Sequence, residues 1–208
     1  MNKIIVFDVD RTIVDSFTSE LYSLQKAIEI VTGNKLSAES LSETATMTTT
    51  ELYKMLNLSE NKIKELEHVW EIEYQKYKIT CFEGIEEVII KLHKKGYILG
   101  IITSRTLEEY HSLDSILKNI NDLFSSIVTS DKVVNPKPSR DSIDYLCNEL
   151  KCNASDIIYI GDSNTDKIFA KNSKIKFIPV CWDNKELTND QTACHRVEDL
   201  LTAINNIK

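Results

Sequence analysis

An α/β fold, a mainly parallel sheet carrying an all-helical insertion, follows from two features of this sequence. Three strand-sized apolar runs each feed directly into a polar cluster. Ile4–Phe7 leads into Asp8-Val9-Asp10-Arg11-Thr12, Ile98–Ile102 into Thr103-Ser104-Arg105, and Ile157–Ile160 into Gly161-Asp162-Ser163-Asn164-Thr165-Asp166. Between the first run and the second lies a stretch, residues 17–80, with no plausible buried strand. Apolar runs without alternation suit strands covered on both faces, as in a parallel sheet flanked by helices. Ligands of such sheets bind outside the carboxyl ends of the strands, so the three clusters are expected to meet at one edge.

The elements follow in order. Ile4–Phe7 is the opening strand. Leu21, Leu24, Ile28 and Val31 recur at helical spacing before Gly33-Asn34 stops that helix. Leu52, Met55 and Leu56 predict a short middle helix after a threonine-rich stretch. Ile63, Leu66, Trp70, Tyr74 and Tyr77 then stripe a long charged helix opening near Ser59. From Gly84 the pattern alternates. A helix with Ile85, Val88, Ile89 and Leu92 inward ends at Gly96, a strand runs from Tyr97 to Ile102, and Thr106 with Glu109 forms a capping box for the next helix. A short strand at Ile127–Thr129, a helix from Ser139 to Leu150, a strand at 157–160, a helix at 165–172, a strand at 175–181 and a helix near 197–206 complete the chain. Such alternation implies right-handed βαβ crossovers. The expected domains are a Rossmann-like core of residues 1–16 and 81–208 and a helical cap of residues 17–80.

Composition narrows the partners. A chain of 208 residues holds one sizeable core with room for a small insertion. Its apolar runs fall far short of the ~20 residues that span a bilayer. The start, Met1-Asn2-Lys3 and a brief apolar run ending at Asp8, lacks the form of a signal peptide, so a cytoplasmic protein is expected. The net charge of −7 disfavours nucleic acid and anionic membrane as partners. Nothing specifies an oligomeric state. Cys81, Cys147, Cys152, Cys181 and Cys194 have no CxxC spacing and read as reduced thiols packed as small hydrophobes. Cys194-His195 has no visible second half of a metal site, and His68, His93 and His111 read as solvated.

The carboxylates carry the chemistry. An aspartate attacks phosphorus only if its repulsion with the phosphate is cancelled. That repulsion is about 4 kcal/mol for unit charges roughly 4 Å apart at an effective dielectric near 20. Magnesium cancels it with few protein oxygens, because it keeps several waters. Asp8 is the candidate nucleophile, and Asp162 brings a carboxylate from a neighbouring strand. Asp10, two residues on, shares the face of Asp8 in an extended segment. The negative charge beside it is expected to raise its pKa and suit it to protonating the leaving alcohol. Thr103 and Ser104 offer a hydroxyl and N–H groups at a strand-to-helix junction. Lys137, between Pro136 and Pro138, is expected to hold phosphate and nucleophile together. Asp166, four residues after Asp162, is expected on the same side, orienting a metal-bound water or Lys137 or binding the metal directly.

Asp8-x-Asp10-x-Thr12, Thr103 after a strand, Lys137-Pro138 and Gly161-Asp162-x-x-x-Asp166 occur in that order. This set resembles the four motifs of the haloacid dehalogenase-like hydrolase superfamily, over essentially the whole chain. Phe7 to Ser16 resembles the phosphoglycolate-phosphatase-like branch, whose helical cap is inserted at this point. The resemblance implies a Mg2+-dependent phosphatase acting through an aspartyl phosphate on a small phosphorylated metabolite, phosphoglycolate-like by analogy. It implies Asp8, Asp162 and the backbone carbonyl of Asp10 as metal ligands, and Thr103, Ser104 and Lys137 as phosphate contacts. An acid at position 10 separates this chain from true dehalogenases, whose halide leaves without a proton. Arg11 stands where the family usually has glycine. It lowers the pKa of Asp10, contacts substrate or lies in solvent. A phosphosugar mutase of the same superfamily and a non-catalytic phospho-ligand-binding regulator are the alternatives.

Overall fold

The structure, a computed structural model, describes residues 4–44, 47, 49–182, 187, 190 and 192–207. In chain order the strands are β1 (Ile4–Phe7), β2 (Val14–Asp15), β3 (Thr80–Cys81), β4 (Ile98–Ile102), β5 (Phe124–Val128), β6 (Ile157–Gly161) and β7 (Lys176–Pro179). The first four α-helices are α1 (Phe17–Thr32), α2 (Ala38–Thr44), α3 (Thr49–Met55) and α4 (Glu60–Tyr74). The remainder are α5 (Ile85–Lys94), α6 (Leu107–His111), α7 (Asp114–Leu117), α8 (Asp141–Leu150), α9 (Asn164–Ser173) and α10 (Leu200–Asn206). The chain divides into two compact units, Met1–Asp15 with Thr80–Lys208, and Ser16–Ile79.

The first unit is built on a five-stranded sheet in the order β5-β4-β1-β6-β7, every pairing parallel. Ile4 lies opposite both Ile98 and Ile157, and Phe7 opposite both Ile101 and Ile160, so the carboxyl ends of the three central strands are level. The chain leaves β1 for β4 and β5 on one side, then crosses to β6 and β7 on the other. The order therefore reverses between β1 and β6, which is where open α/β sheets place their ligands. On one core face Ile4, Val6, Ile102, Val128, Tyr159 and Phe169 pack with Ile143 and Leu146 of α8. Each large apolar side chain buried this way is worth about 1.5–3 kcal/mol.

Among its described residues the second unit is helical. Leu24, Ala27, Ile28 and Val31 of α1 meet Leu66 of α4 and Leu52 of α3. The indole N–H of Trp70 donates to Ser23 Oγ at 2.9 Å, satisfying the polar edge of an otherwise apolar contact. Gly33 ends α1 in the left-handed conformation, φ 75°.

Several elements differ from the sequence reading. β5 begins at Phe124, three residues before the predicted Ile127. Its inward Ser126 breaks the apolar pattern and is satisfied by donating to Glu149 Oε2 at 2.5 Å. β2 and β3 form an antiparallel pair, Val14 opposite Cys81 and Asp15 opposite Thr80, too short for any periodicity to mark. Thr80, expected in the helical stretch, is thus a strand residue. Tyr77 lies beyond the end of α4 and is 36% exposed, and Met55, the last residue of α3, is 40% exposed, so neither joins the core stripe. The short helices α2 and α7 carry no signal strong enough to read. α10 begins at Leu200, after a 3-10 turn over Val197–Asp199.

Candidate active site

The edge of the sheet is set by backbone. The Asp8 N–H donates to the Ile160 carbonyl at 2.8 Å, extending the β1–β6 ladder one residue and fixing where the Asp8 side chain starts. The chain then folds back on itself, with the Val9 carbonyl accepting from the N–H groups of Thr12, Ile13 and Val14. That tight turn forces Arg11 to φ 57°, in the left-handed region. A glycine there is free of the Cβ clash, which gives the family's usual choice at this position a steric reason.

On the other side of the switch point, Ser163 and Asp166 form the capping box of α9. Ser163 Oγ accepts from the Asp166 N–H at 3.1 Å, and Asp166 Oδ2 accepts from the Ser163 N–H at 3.2 Å and its hydroxyl at 2.6 Å. The aspartate is drawn so close to the strand end that a Cβ on Gly161 would lie 2.6 Å from Asp166 Cγ. Gly161 is therefore a spatial requirement of the site.

Lys137 arrives from the loop before α8, and its side chain is 4% exposed. Its ammonium donates to Asp8 Oδ1 at 2.6 Å, Asp166 Oδ1 at 2.8 Å and Tyr159 Oη at 3.0 Å. Tyr159 in turn donates to Asp166 Oδ1 at 2.8 Å. Asp8, Asp162 and Asp166 are all buried, and one carboxylate oxygen from each lies within 4.8 Å of the others. The strand-end acids and the lysine expected from the sequence are thus brought together. Burial is the largest influence on the Asp8 carboxyl. The charges of Asp166 and Asp10 add to it against the pull of Lys137, pushing Asp8 up to about 7. Burial opposes the Lys137 charge, yet Asp166 and Asp8 hold its ammonium above the ordinary lysine value. Burial also acts to raise Asp166, but Lys137, Ser163 and Tyr159 outweigh it and hold that carboxyl below its usual range.

Asp10, whose charge acts on Asp8, has its side chain held from a third direction. The Asp8–Asp162–Asp166 group does not include its carboxylate; Arg105 donates to both of its oxygens. Arg105 is itself held, its backbone N–H donating to Thr103 Oγ1 at 3.2 Å and its carbonyl accepting from Ser130 at 2.8 Å. Thr103 is buried at the end of β4, whereas the Ser104 side chain is exposed. Arg105 and Tyr159 were missed by the sequence reading. Arg105 sat unweighted in the Thr103-Ser104-Arg105 cluster, and Tyr159 is the one hydroxyl in an otherwise aliphatic run.

Three buried carboxylates gathered together, two of them on one ammonium, fit a hard divalent cation, since oxygen ligands and surplus negative charge are what such an ion requires. Asp166 is poorly placed to be its main ligand, because both oxygens already accept two hydrogen bonds each. Asp8 and Asp162 remain the better donors.

A parallel sheet with acids and a lysine converging at its switch point defines an α/β enzyme site. The chain belongs to the haloacid dehalogenase-like hydrolase family, whose sequence profile matches residues 5–180. It is similar to the pyrophosphatase PpaX of Bacillus velezensis, 33% identical over 107 residues that cover 51% of this chain and 49% of that protein. The chain thus spans about half the length of that relative. It is also similar to a phosphoglycolate phosphatase of Vibrio cholerae, 23% identical over 192 residues, 82% of this chain and 80% of that one. The crystal structure of a haloacid dehalogenase-like family hydrolase from Streptococcus pneumoniae superposes with a TM-score of 0.80 at 21% identity over 98% of each chain, a likeness of fold.

Proposed function

We propose that this protein is a magnesium-dependent phosphatase that cleaves small phosphorylated metabolites through an aspartyl phosphate on Asp8. The observation that carries the reading is the Lys137 ammonium joined to Asp8 and Asp166 within the buried aspartate cluster. A lysine so held steadies the carboxylate that must attack and offsets its charge. Magnesium, when bound by Asp8, Asp162 and the Asp10 carbonyl, supplies further charge neutralisation.

Asp8 Oδ2 attacks phosphorus while the bond to the leaving oxygen breaks, and Asp10, having taken a proton from solvent as Arg105 loosens, gives that oxygen the proton. Water then attacks the phosphorus of the aspartyl phosphate, Asp10 takes its proton, and phosphate leaves with the Asp8 carboxylate restored. The Thr103 hydroxyl and the Ser104 N–H are assigned to the phosphate oxygens. The grip of Arg105 on Asp10 is read as the resting arrangement, in which one guanidinium contact yields to the leaving-group oxygen. Pyrophosphate and phosphoglycolate, the substrates named by the relatives, would release the anions phosphate and glycolate, and an arginine beside the acid suits such a leaving group. Among the described residues no helix is long and apolar enough to cross a membrane. The helical unit is assigned the role of a cap that chooses the leaving group.

Steady-state phosphate release from p-nitrophenyl phosphate, pyrophosphate and phosphoglycolate, with and without magnesium, tests the proposal. Magnesium-dependent turnover that falls about a thousandfold or more in Asp8→Asn is expected. Turnover unaffected by that substitution would sink it.

A further inference from the structure

The end of α8 brings two thiols together. Lys151 adopts the left-handed conformation, φ 52° and ψ 49°, and its N–H returns to the Cys147 carbonyl. The Cys152 N–H donates to the same carbonyl at 3.1 Å. That bond is the six-residue closure of a Schellman turn, a motif frequently accompanied by side-chain contact between its two ends. Here both ends are cysteine, and the backbone bond from Cys152 to Cys147 holds the two residues together. Both are half-buried against the core, alongside Tyr145 and Leu150. The phosphatase reading uses neither of them.

We infer that Cys147 and Cys152 form a dithiol site that reacts with low-molecular-weight disulfides and closes to an internal disulfide. The Cys152 thiolate attacks one sulfur of the small disulfide, giving a mixed disulfide and releasing one small thiol. Cys147 then loses its proton to solvent and attacks the Cys152 sulfur, and the second small thiol leaves. Two electrons pass from the protein thiols to the small disulfide, which ends as two thiols. Burial, and then the neighbouring Cys152, push the Cys147 thiol up to about 12, which makes it the poorer opening nucleophile. It is nonetheless the natural partner for closure, because the turn already holds the two residues together and the step is intramolecular. The remaining cysteines lack this combination. Cys181 and Cys194 are neighbours through a 2.8 Å backbone hydrogen bond but are both buried, and the Cys81 thiol donates to the Ile116 carbonyl.

The test treats the full chain with excess oxidised glutathione, blocks residual thiols by alkylation and maps the peptides by mass spectrometry. Peptides containing Cys147 and Cys152 should appear joined, with the mass of the pair lower by two hydrogens, and dithiothreitol should reverse this. Cys147→Ser should instead retain one glutathione on Cys152, and Cys152→Ser should react roughly tenfold more slowly. Stable glutathione adducts on the unaltered chain without joined peptides would overturn the inference. So would linkage only between Cys181 and Cys194, or no reaction in protein whose circular dichroism shows it folded.

Discussion

The guanidinium of Arg105 grips both oxygens of Asp10, Nε–H to Oδ2 at 2.8 Å and Nη2–H to Oδ1 at 2.6 Å, across 95 residues of sequence. A two-point contact fixes the plane of the carboxylate as well as its position, which a single ammonium cannot do. Arg105→Lys should therefore keep the charge and lose the alignment. Hydrogen bonds to charged groups are worth about 1.5–3 kcal/mol, so kcat/KM should fall by about tenfold to a hundredfold, with most of the loss in kcat. Kinetics within a factor of two of the unaltered enzyme would remove Arg105 from the reaction.

The raised Asp8 carboxyl sets a pH dependence whose sign can be worked out. Its ordinary value is 3.8, and in the fold it stands at about 7. Between these values the folded protein binds more protons than the unfolded chain, so this group's contribution to stability shrinks as pH rises through that window. Without magnesium, Asp8→Asn should be stabilising relative to the unaltered protein at pH 8, and the advantage should vanish near pH 4. Proton and cation compete for the same carboxylate, so magnesium affinity should weaken by about tenfold per pH unit below 7. Thermal scans and calorimetry across pH check both. An affinity flat from pH 5 to 7 would contradict the assignment of Asp8 as a ligand.

Tyr159→Phe removes one hydroxyl and leaves the ring, which packs edge-on against Phe169 at 5.0 Å between centroids. Lys137 loses an acceptor and Asp166 a donor. A stability loss of about 1–2 kcal/mol is expected, with kcat falling several-fold and KM almost unchanged. Chemical denaturation and steady-state kinetics on the same preparation separate the two effects.

Gly161→Ala tests the close approach of Asp166. The added methyl has no room beside the Asp166 carboxyl, so either the capping box opens or the strand end shifts. A cost of about 1–3 kcal/mol is expected, together with a drop in kcat larger than that of Tyr159→Phe, because Lys137 loses its anchor. Full activity in this variant would show that the placement of Asp166 has no bearing on turnover.

The central strands and the acids at their ends were legible because β1, β4 and β6 are covered on both faces, which leaves uninterrupted apolar runs broken by charge only where the strands stop. The α6 capping box was readable because its partners are three residues apart in sequence. What escaped depends on contacts distant along the chain. Arg105 meets Asp10 only after β1 and β4 pair, and Tyr159 reaches Lys137 only once the loop before α8 has folded over β6. β5 was truncated in the reading because Ser126 finds its acceptor on another element, and a local pattern cannot register that compensation. The Cys147–Cys152 juxtaposition was hidden for a different reason, since it depends on Lys151 adopting a left-handed conformation that lysine rarely takes.

The capping box of α9 has one consequence for how this enzyme fails. The carboxylate that caps the helix through Oδ2 seats Lys137 through Oδ1, so fraying of a single helical turn disarms the catalyst while the sheet beneath it is still intact. Warming or mild denaturant should extinguish turnover well before the spectroscopic melt, and the gap between the two transitions measures how loosely that first turn is fastened.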